Sequence, residues 1–210
     1  MECIRGKQTY TVDTAALAAK AGRYRSVVLD LGTGDGYFVR YLAQTQPQQL
    51  VIGIDACREA LRDTSRKAPS NALFVIANAL SLPTSLNGLA ASVTINFPWG
   101  SLLRGLVHGD PTLLSGLSAV TQPMASLEIC LNAGALIELG CGLEDGTALV
   151  SRALAGAGLV ISGMQSLDGS ELRVWPSTWA KRLAFGRDPR AILIRAVHPA
   201  TQRPHTSSLP

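Results

Sequence analysis

The chain has 210 residues and a formal net charge of +4; 47% of its residues are hydrophobic, 16% charged and 5% aromatic. That balance has room for one domain of α/β size with a substantial core and excludes a disordered polymer. No apolar run approaches the roughly 18 residues of a membrane helix, and the opening MECIRGKQTY lacks a signal-peptide core, so a cytoplasmic protein with no membrane partner is expected.

Along the chain, apolar runs alternate with amphipathic stretches, the pattern of a mostly parallel sheet covered by helices on both faces. Residues 3–12 (CIRGKQTYTV) alternate weakly around a Gly-Lys turn and read as a small appended hairpin. A helix over 14–22, capped by Asp13 and closed by Gly22, completes an N-terminal extension over 1–22. Strands are expected at SVVLDL (26–31), QLVIGID (49–55), ALFVIA (72–77) and ASVTINF (91–97), with helices at YFVRYLAQ (37–44) and from Cys57 to Lys67. Asp110-Pro111 supplies a cap and a first-turn proline for a helix running through TLLSGLSAV. Strand SLEICLN (126–132) and a helix over 143–158 follow, then strands near LVISGM (159–164) and AILIRAV (191–197), the last antiparallel. Ser177 can cap a short helix that begins at Trp179. The total is a seven-stranded, open, doubly wound α/β sheet with about six helices, one domain over 1–210 with a flexible tail at 200–210.

Cys3, Cys57, Cys130 and Cys141 form no CxxC pair and have no metal-ligand spacing, so they read as reduced, mostly buried thiols and no metal is expected. Charge is unevenly placed. From Leu172 to Pro210 seven bases stand against one acid, Asp188, whereas between Ala79 and Val150 one base stands against five acids. Such asymmetry suits a polyanionic partner on one face, although a solvated surface looks the same. Arg58, Arg62 and Arg66 fall on one helix face but are partly balanced by Glu59 and Asp63, as on a solvated face.

The segment VVLDLGTGDGYF opens from a buried strand into a glycine turn. Ligands in such sheets sit at the carboxyl ends of the strands. A dinucleotide site wants a small third residue in GxGxxG, where this chain has Tyr37. Gly32, Gly34 and Gly36 instead suit a ligand without phosphate, such as S-adenosylmethionine. Asp30 can hold the ligand's ammonium directly or through water, and Asp55 can accept both ribose hydroxyls. At the third strand end, Asn78 or the Ala79 backbone can meet an adenine edge, with Leu80 on its face. Asn96-Phe97-Pro98-Trp99 ends the fourth strand: asparagine or backbone carbonyls can accept from an amine, proline stiffens the turn, and the indole can stack on a base. The turn is similar to the N-P-P-aromatic turn of amino-methyltransferases. Trp179 with Lys181, Arg182 and Arg187 interleaves an aromatic with bases, as a flipped nucleotide and its phosphates require. Trp175, before a proline, reads as a core residue.

Taken together, DLGTGDG (30–36), IGID (52–55), FVIANALSLP (74–83), FPWGSLL (97–103) and STWAKRLAFGR (177–187) resemble the aminoglycoside-resistance 16S rRNA (adenine(1408)-N(1))-methyltransferases of the Kam/Npm type. The resemblance implies a class I, Rossmann-like fold using S-adenosyl-L-methionine and releasing S-adenosyl-L-homocysteine. It implies cofactor contacts at Asp30, Gly32, Thr33, Gly34, Asp55, Ala79, Leu80, Asn96, Trp99, Gly100, Ser101, Ser177 and Trp179. It further implies that Trp99 and Trp179 sandwich the flipped adenine, that Asn96, Phe97, Pro98 and Ser177 line the base, and that Arg182, Arg187 and Arg190 grip rRNA phosphates of the 30S subunit. A monomer is expected. Leu80 departs from the acid of that family, and Arg104 to Gln165 matches it only loosely. An RNA N6-adenine methyltransferase of the same fold, a non-catalytic RNA-binding module and a small-molecule methyltransferase are the competing readings.

Overall fold

The computed structural model describes residues 1–200; the expected tail lies, apart from Ala200, outside them. In chain order the elements are β1 (Glu2–Arg5), β2 (Gln8–Thr11), α1 (Thr14–Ala21), β3 (Ser26–Leu31), α2 (Tyr37–Thr45), β4 (Gln49–Asp55), α3 (Arg58–Lys67) and β5 (Ala72–Ile76). There follow β6 (Ala90–Asn96), α4 (Gly100–His108), α5 (Pro111–Val120), β7 (Thr121–Asn132), α6 (Ala133–Glu138), α7 (Leu143–Gly156), β8 (Val160–Leu167), α8 (Gly169–Val174), α9 (Thr178–Ala184) and β9 (Ala191–Val197). No helix among the described residues is long and apolar enough to cross a membrane.

One nine-stranded sheet runs β2-β1-β5-β4-β3-β6-β7-β9-β8. The five strands from β5 to β7 are parallel, and β9 is antiparallel to both neighbours. The seven expected strands are present. The hairpin, expected as an appendage, instead extends the sheet to nine by pairing Cys3 with Val75. β3 and β4 are buried along nearly their whole length because helices cover both faces, which is why they read as continuous apolar runs. Alternate residues serve different cores: Leu29, Leu31, Ile52 and Ile54 meet α4, α5 and α7 on one face, and Val28 and Val51 meet Val39, Leu61 and Phe74 on the other.

Three helices have no counterpart in the sequence reading: α4, α6 and α8. α4 buries Leu102, Leu103, Leu106 and Val107 despite two glycines, and α8 starts at an Asp168–Glu171 capping box. Ser177 does occupy the N-cap position of α9, but its hydroxyl makes no capping bond. Of the four thiols, Cys3 and Cys130 are buried, Cys57 is exposed and Cys141 is intermediate.

The chain leaves β3 toward β4 and β5 on one side and returns to β6 on the other. That reversal opens a crevice at the carboxyl ends of β3 and β6. Gly36 starts α2 beside it with φ of +72°, and a Cβ there would stand 2.5 Å from the Phe74 ring. Only glycine fits.

Candidate active site

The crevice is a cleft lined by Gly32, Gly34, Ile54, Asp55, Ala56 and Ala77–Ala79 on the cofactor-loop side, and by Asn96–Trp99, Ser101, Leu102 and Trp179 on the other. The turn after β3 is pinned to β4, since the N–H groups of Gly32 and Thr33 both donate to Ile54 O at 2.9 and 3.1 Å. Asp55 straps the same region. Its Oδ2 accepts from Gly34 N and its Oδ1 from Cys57 N, each at 2.8 Å. A carboxylate has about four acceptor positions, so two remain for hydroxyls in the cleft. Gly34 has φ of +58° and no protein atom within 4 Å of where a Cβ would stand, so the backbone is bare there.

Asp30 is placed behind the wall, not in the lining. It is 1% exposed and accepts from Thr94 Oγ1 at 2.6 Å and Asn96 Nδ2 at 3.0 Å. Burial pushes its carboxyl up from 3.8 to about 6, against the lowering effect of these bonds. From this position Asp30 has no direct reach to a ligand ammonium in the cleft; it orients Asn96 instead.

The turn after β6 is strained. Phe97 has φ of +52°, held by its N–H donating to Cys130 O at 2.8 Å; for an aromatic residue that conformation costs on the order of 1–2 kcal/mol. Its ring packs in a small core with Leu167, Leu172, Ala180 and Leu193, so Phe97 supports the cleft mainly from beneath. The Asn96 amide is committed at both ends: Nδ2 donates to Asp30, and Oδ1 accepts from Trp175 Nε1 at 3.1 Å. The Oδ1 keeps a second lone pair on a residue that lines the cleft, so the acceptors open to an exocyclic amine are that lone pair and the backbone carbonyls of the turn.

Trp99 and Trp179 come together across 80 residues of chain. Their rings lie 11° from parallel with centroids 6.4 Å apart, and the residues are 52% and 48% exposed. Arg182 stands over the Trp179 ring at 5.4 Å, and Lys181 over the Tyr37 ring at 5.1 Å, so α9 is tied toward the start of α2. The other expected phosphate contacts divide. Arg187 is exposed, whereas Arg190 is chelated by Asp188 through bonds of 2.8 and 2.7 Å, which cancels its charge locally.

Some expected contacts are not in the lining. Leu80 turns away from the cleft, its Cδ2 lying against Gly105 of α4, so it does not cover an adenine face. Thr33, Gly100 and Ser177 also stay out of the lining; Thr33 and Ser177 are buried. Ile54, Ala56 and Leu102, which the sequence reading did not single out, supply apolar walls instead. Ile54 and Ala56 flank Asp55 and were within reach of a sequence argument; Leu102 was hidden with its helix.

The residues present fit S-adenosylmethionine: small apolar walls for a purine, a carboxylate with spare acceptor positions for a ribose, and bare loop backbone for a charged amino-acid end. A cleft of this composition at the switch point of a doubly wound sheet defines a class I S-adenosylmethionine-dependent methyltransferase. The family model for 16S rRNA (adenine(1408)-N(1))-methyltransferase (NpmA) matches residues 2–198. The chain belongs to that family. It is 33% identical over 205 residues to the 16S rRNA (adenine(1408)-N(1))-methyltransferase of Escherichia coli, covering 89% of this chain and 94% of the relative. The enzyme of that name from Streptoalloteichus hindustanus is 32% identical over 204 residues, covering 90% and 94%. Among solved structures, a mutant of the Catenulisporales acidiphilia 16S rRNA (adenine(1408)-N(1))-methyltransferase with cosubstrate SAM superposes with a TM-score of 0.86 at 26% identity, covering 97% of this chain and 99% of that one. The 16S rRNA methyltransferase KamB gives 0.86 at 28%, covering 95% and 100%.

Proposed function

We propose that the chain, acting as a single methyltransferase domain, methylates N1 of adenine 1408 in 16S rRNA within the assembled 30S subunit and so confers aminoglycoside resistance. It uses S-adenosylmethionine, which supplies an electrophilic methyl group on sulfonium when bound. The observation that carries the reading is the indole pair at the mouth of the cofactor cleft. A base between two rings needs about 7 Å, twice a contact distance of about 3.5 Å; the near-parallel rings stand 6.4 Å apart between centroids, so the pair opens slightly to admit one. Extrusion from the helix costs a few kcal/mol; stacking at about 1–3 kcal/mol per base offsets it.

Positioning does the remaining work. Asp55 is the sole titratable side chain among the described lining residues, and both its oxygens already accept backbone N–H groups. A nucleophile with its own lone pair, such as adenine N1, needs no base. Outside the cleft, Arg182 and Arg187 meet phosphates, while Ser177 buttresses α9. The protein works as a cytoplasmic monomer.

The test is incubation of labelled S-adenosylmethionine with intact 30S subunits and with naked 16S rRNA, followed by mapping of the label. Label on N1 of adenine 1408, seen also as a primer-extension stop, is expected with subunits. Label on N6, or none in either RNA, overturns the reading.

A further inference from the structure

Trp175 lies at the joint between α8 and α9, where its backbone N–H donates to Glu171 O and its carbonyl accepts from Ser177 N at 2.8 Å. Its ring stands edge-on to Phe97, 6.4 Å between centroids at 76°, and its Nε1 donates to Asn96 Oδ1 at 3.1 Å. Asn96 then donates to Asp30, which also holds Thr94. The bond spans 79 residues, and each end sits close to one member of the indole pair: Asn96 three residues before Trp99, Trp175 four before Trp179.

From this arrangement we infer that Trp175 is a positioning residue, an indole strap from Trp175 to Asn96 that holds α9 against the β6 turn and sets the spacing of Trp99 and Trp179. No other side-chain hydrogen bond among the described residues joins the α8–α9 segment to the β6 turn. The Lys181 and Arg182 contacts reach aromatic faces on α2 and on α9 itself, so neither substitutes for it. The ring edge on Phe97 adds a second grip, on the one aromatic of the turn whose backbone is strained. Without the N–H, α9 keeps its packing through Ala180 and Leu183, yet loses the bond that fixes its register against Asn96. The gap between indoles then widens, and less of the docked base is held.

The inference rests on the base-clamp reading above. Docking of the subunit by phosphate contacts precedes entry of the base, so a looser clamp lowers kcat and spares KM. In Trp175→Phe, which keeps a ring against Phe97, kcat on 30S subunits falls about tenfold, the size of one lost hydrogen bond. KM for subunits and the calorimetric Kd and stoichiometry for S-adenosylmethionine stay within about twofold; the stoichiometry counts folded sites and separates this from partial unfolding. In an Asn96→Ala background the same substitution has no further effect, because both remove one bond. Site-specific 3-benzothienylalanine at position 175, which deletes only the N–H, reproduces the loss if the phenylalanine variant does not fold. Unchanged kcat, a full additional loss in the Asn96→Ala background, or a parallel loss of cofactor stoichiometry overturns the strap. A wild-type enzyme that fails to methylate subunits overturns the clamp reading instead.

Discussion

Asp55 at the end of β4 accepts the backbone N–H of Gly34 at 2.8 Å, so the carboxylate that faces the cleft also shapes the turn beside it. Removing it deletes the carboxylate proposed to accept the ribose hydroxyls and releases two backbone N–H groups. Asp55→Ala is expected to weaken S-adenosylmethionine binding at least tenfold by calorimetry, with Asp55→Asn between it and the wild type. An affinity that does not move refutes the ribose role.

Trp99→Ala and Trp179→Ala each remove one wall of the indole pair. Stacking at about 1–3 kcal/mol per base corresponds to roughly 5- to 150-fold. Methylation of 30S subunits is expected to fall by about that range in each variant, with cofactor affinity nearly intact. Equal losses of cofactor affinity in both variants would count against the clamp.

Asp30 gives a pH dependence of defined sign. Its folded carboxyl titrates at about 6, above the ordinary 3.8, so the native state binds the proton more tightly than the unfolded chain. Stability relative to a neutral side chain is therefore fully retained below about pH 4 and declines as pH rises to 6, by on the order of 3 kcal/mol. Asp30→Asn removes the trend. Urea unfolding at pH 4.5 and 7.5 is expected to show the variant gaining on the wild type at the higher pH. A difference that stays constant between the two contradicts the burial argument.

Arg182 and Arg190 look alike in sequence and differ in structure. Arg182 lies over an indole with no acid partner among the described residues, whereas Arg190 is held by Asp188. Arg182→Ala is expected to weaken subunit binding and to reduce the slope of log K against log salt by about 1. Arg190→Ala leaves that slope in place. Filter binding over a salt series distinguishes them, and equal slopes for the two variants contradict the assignment.

What could be read in advance followed from local physics. β3, β4 and β9 declare themselves through short runs of branched apolar residues, and Asp55 through its place at the end of the strand after the glycine turn. α4 did not: GSLLRGLVH has two glycines, which weaken helix propensity, and it becomes a helix because four of its side chains close a core assembled from distant strands. Leu80 points at Gly105, a choice set by packing across the crevice rather than by its own segment. The Asp188 clamp on Arg190 lay two residues away and was legible but outweighed by the charge count. Trp175 looked like filler because its partner, Asn96, stands 79 residues upstream.

The placing of β9 between β7 and β8 has a consequence for biosynthesis. β8 is translated first but touches the sheet only through β9, so it has nowhere to dock until residues 191–197 have emerged. Strands β3 to β7, complete by Asn132, can associate well before that. A nascent chain thus completes the strands that carry the Trp99 side of the cleft early and brings Trp179 opposite it late.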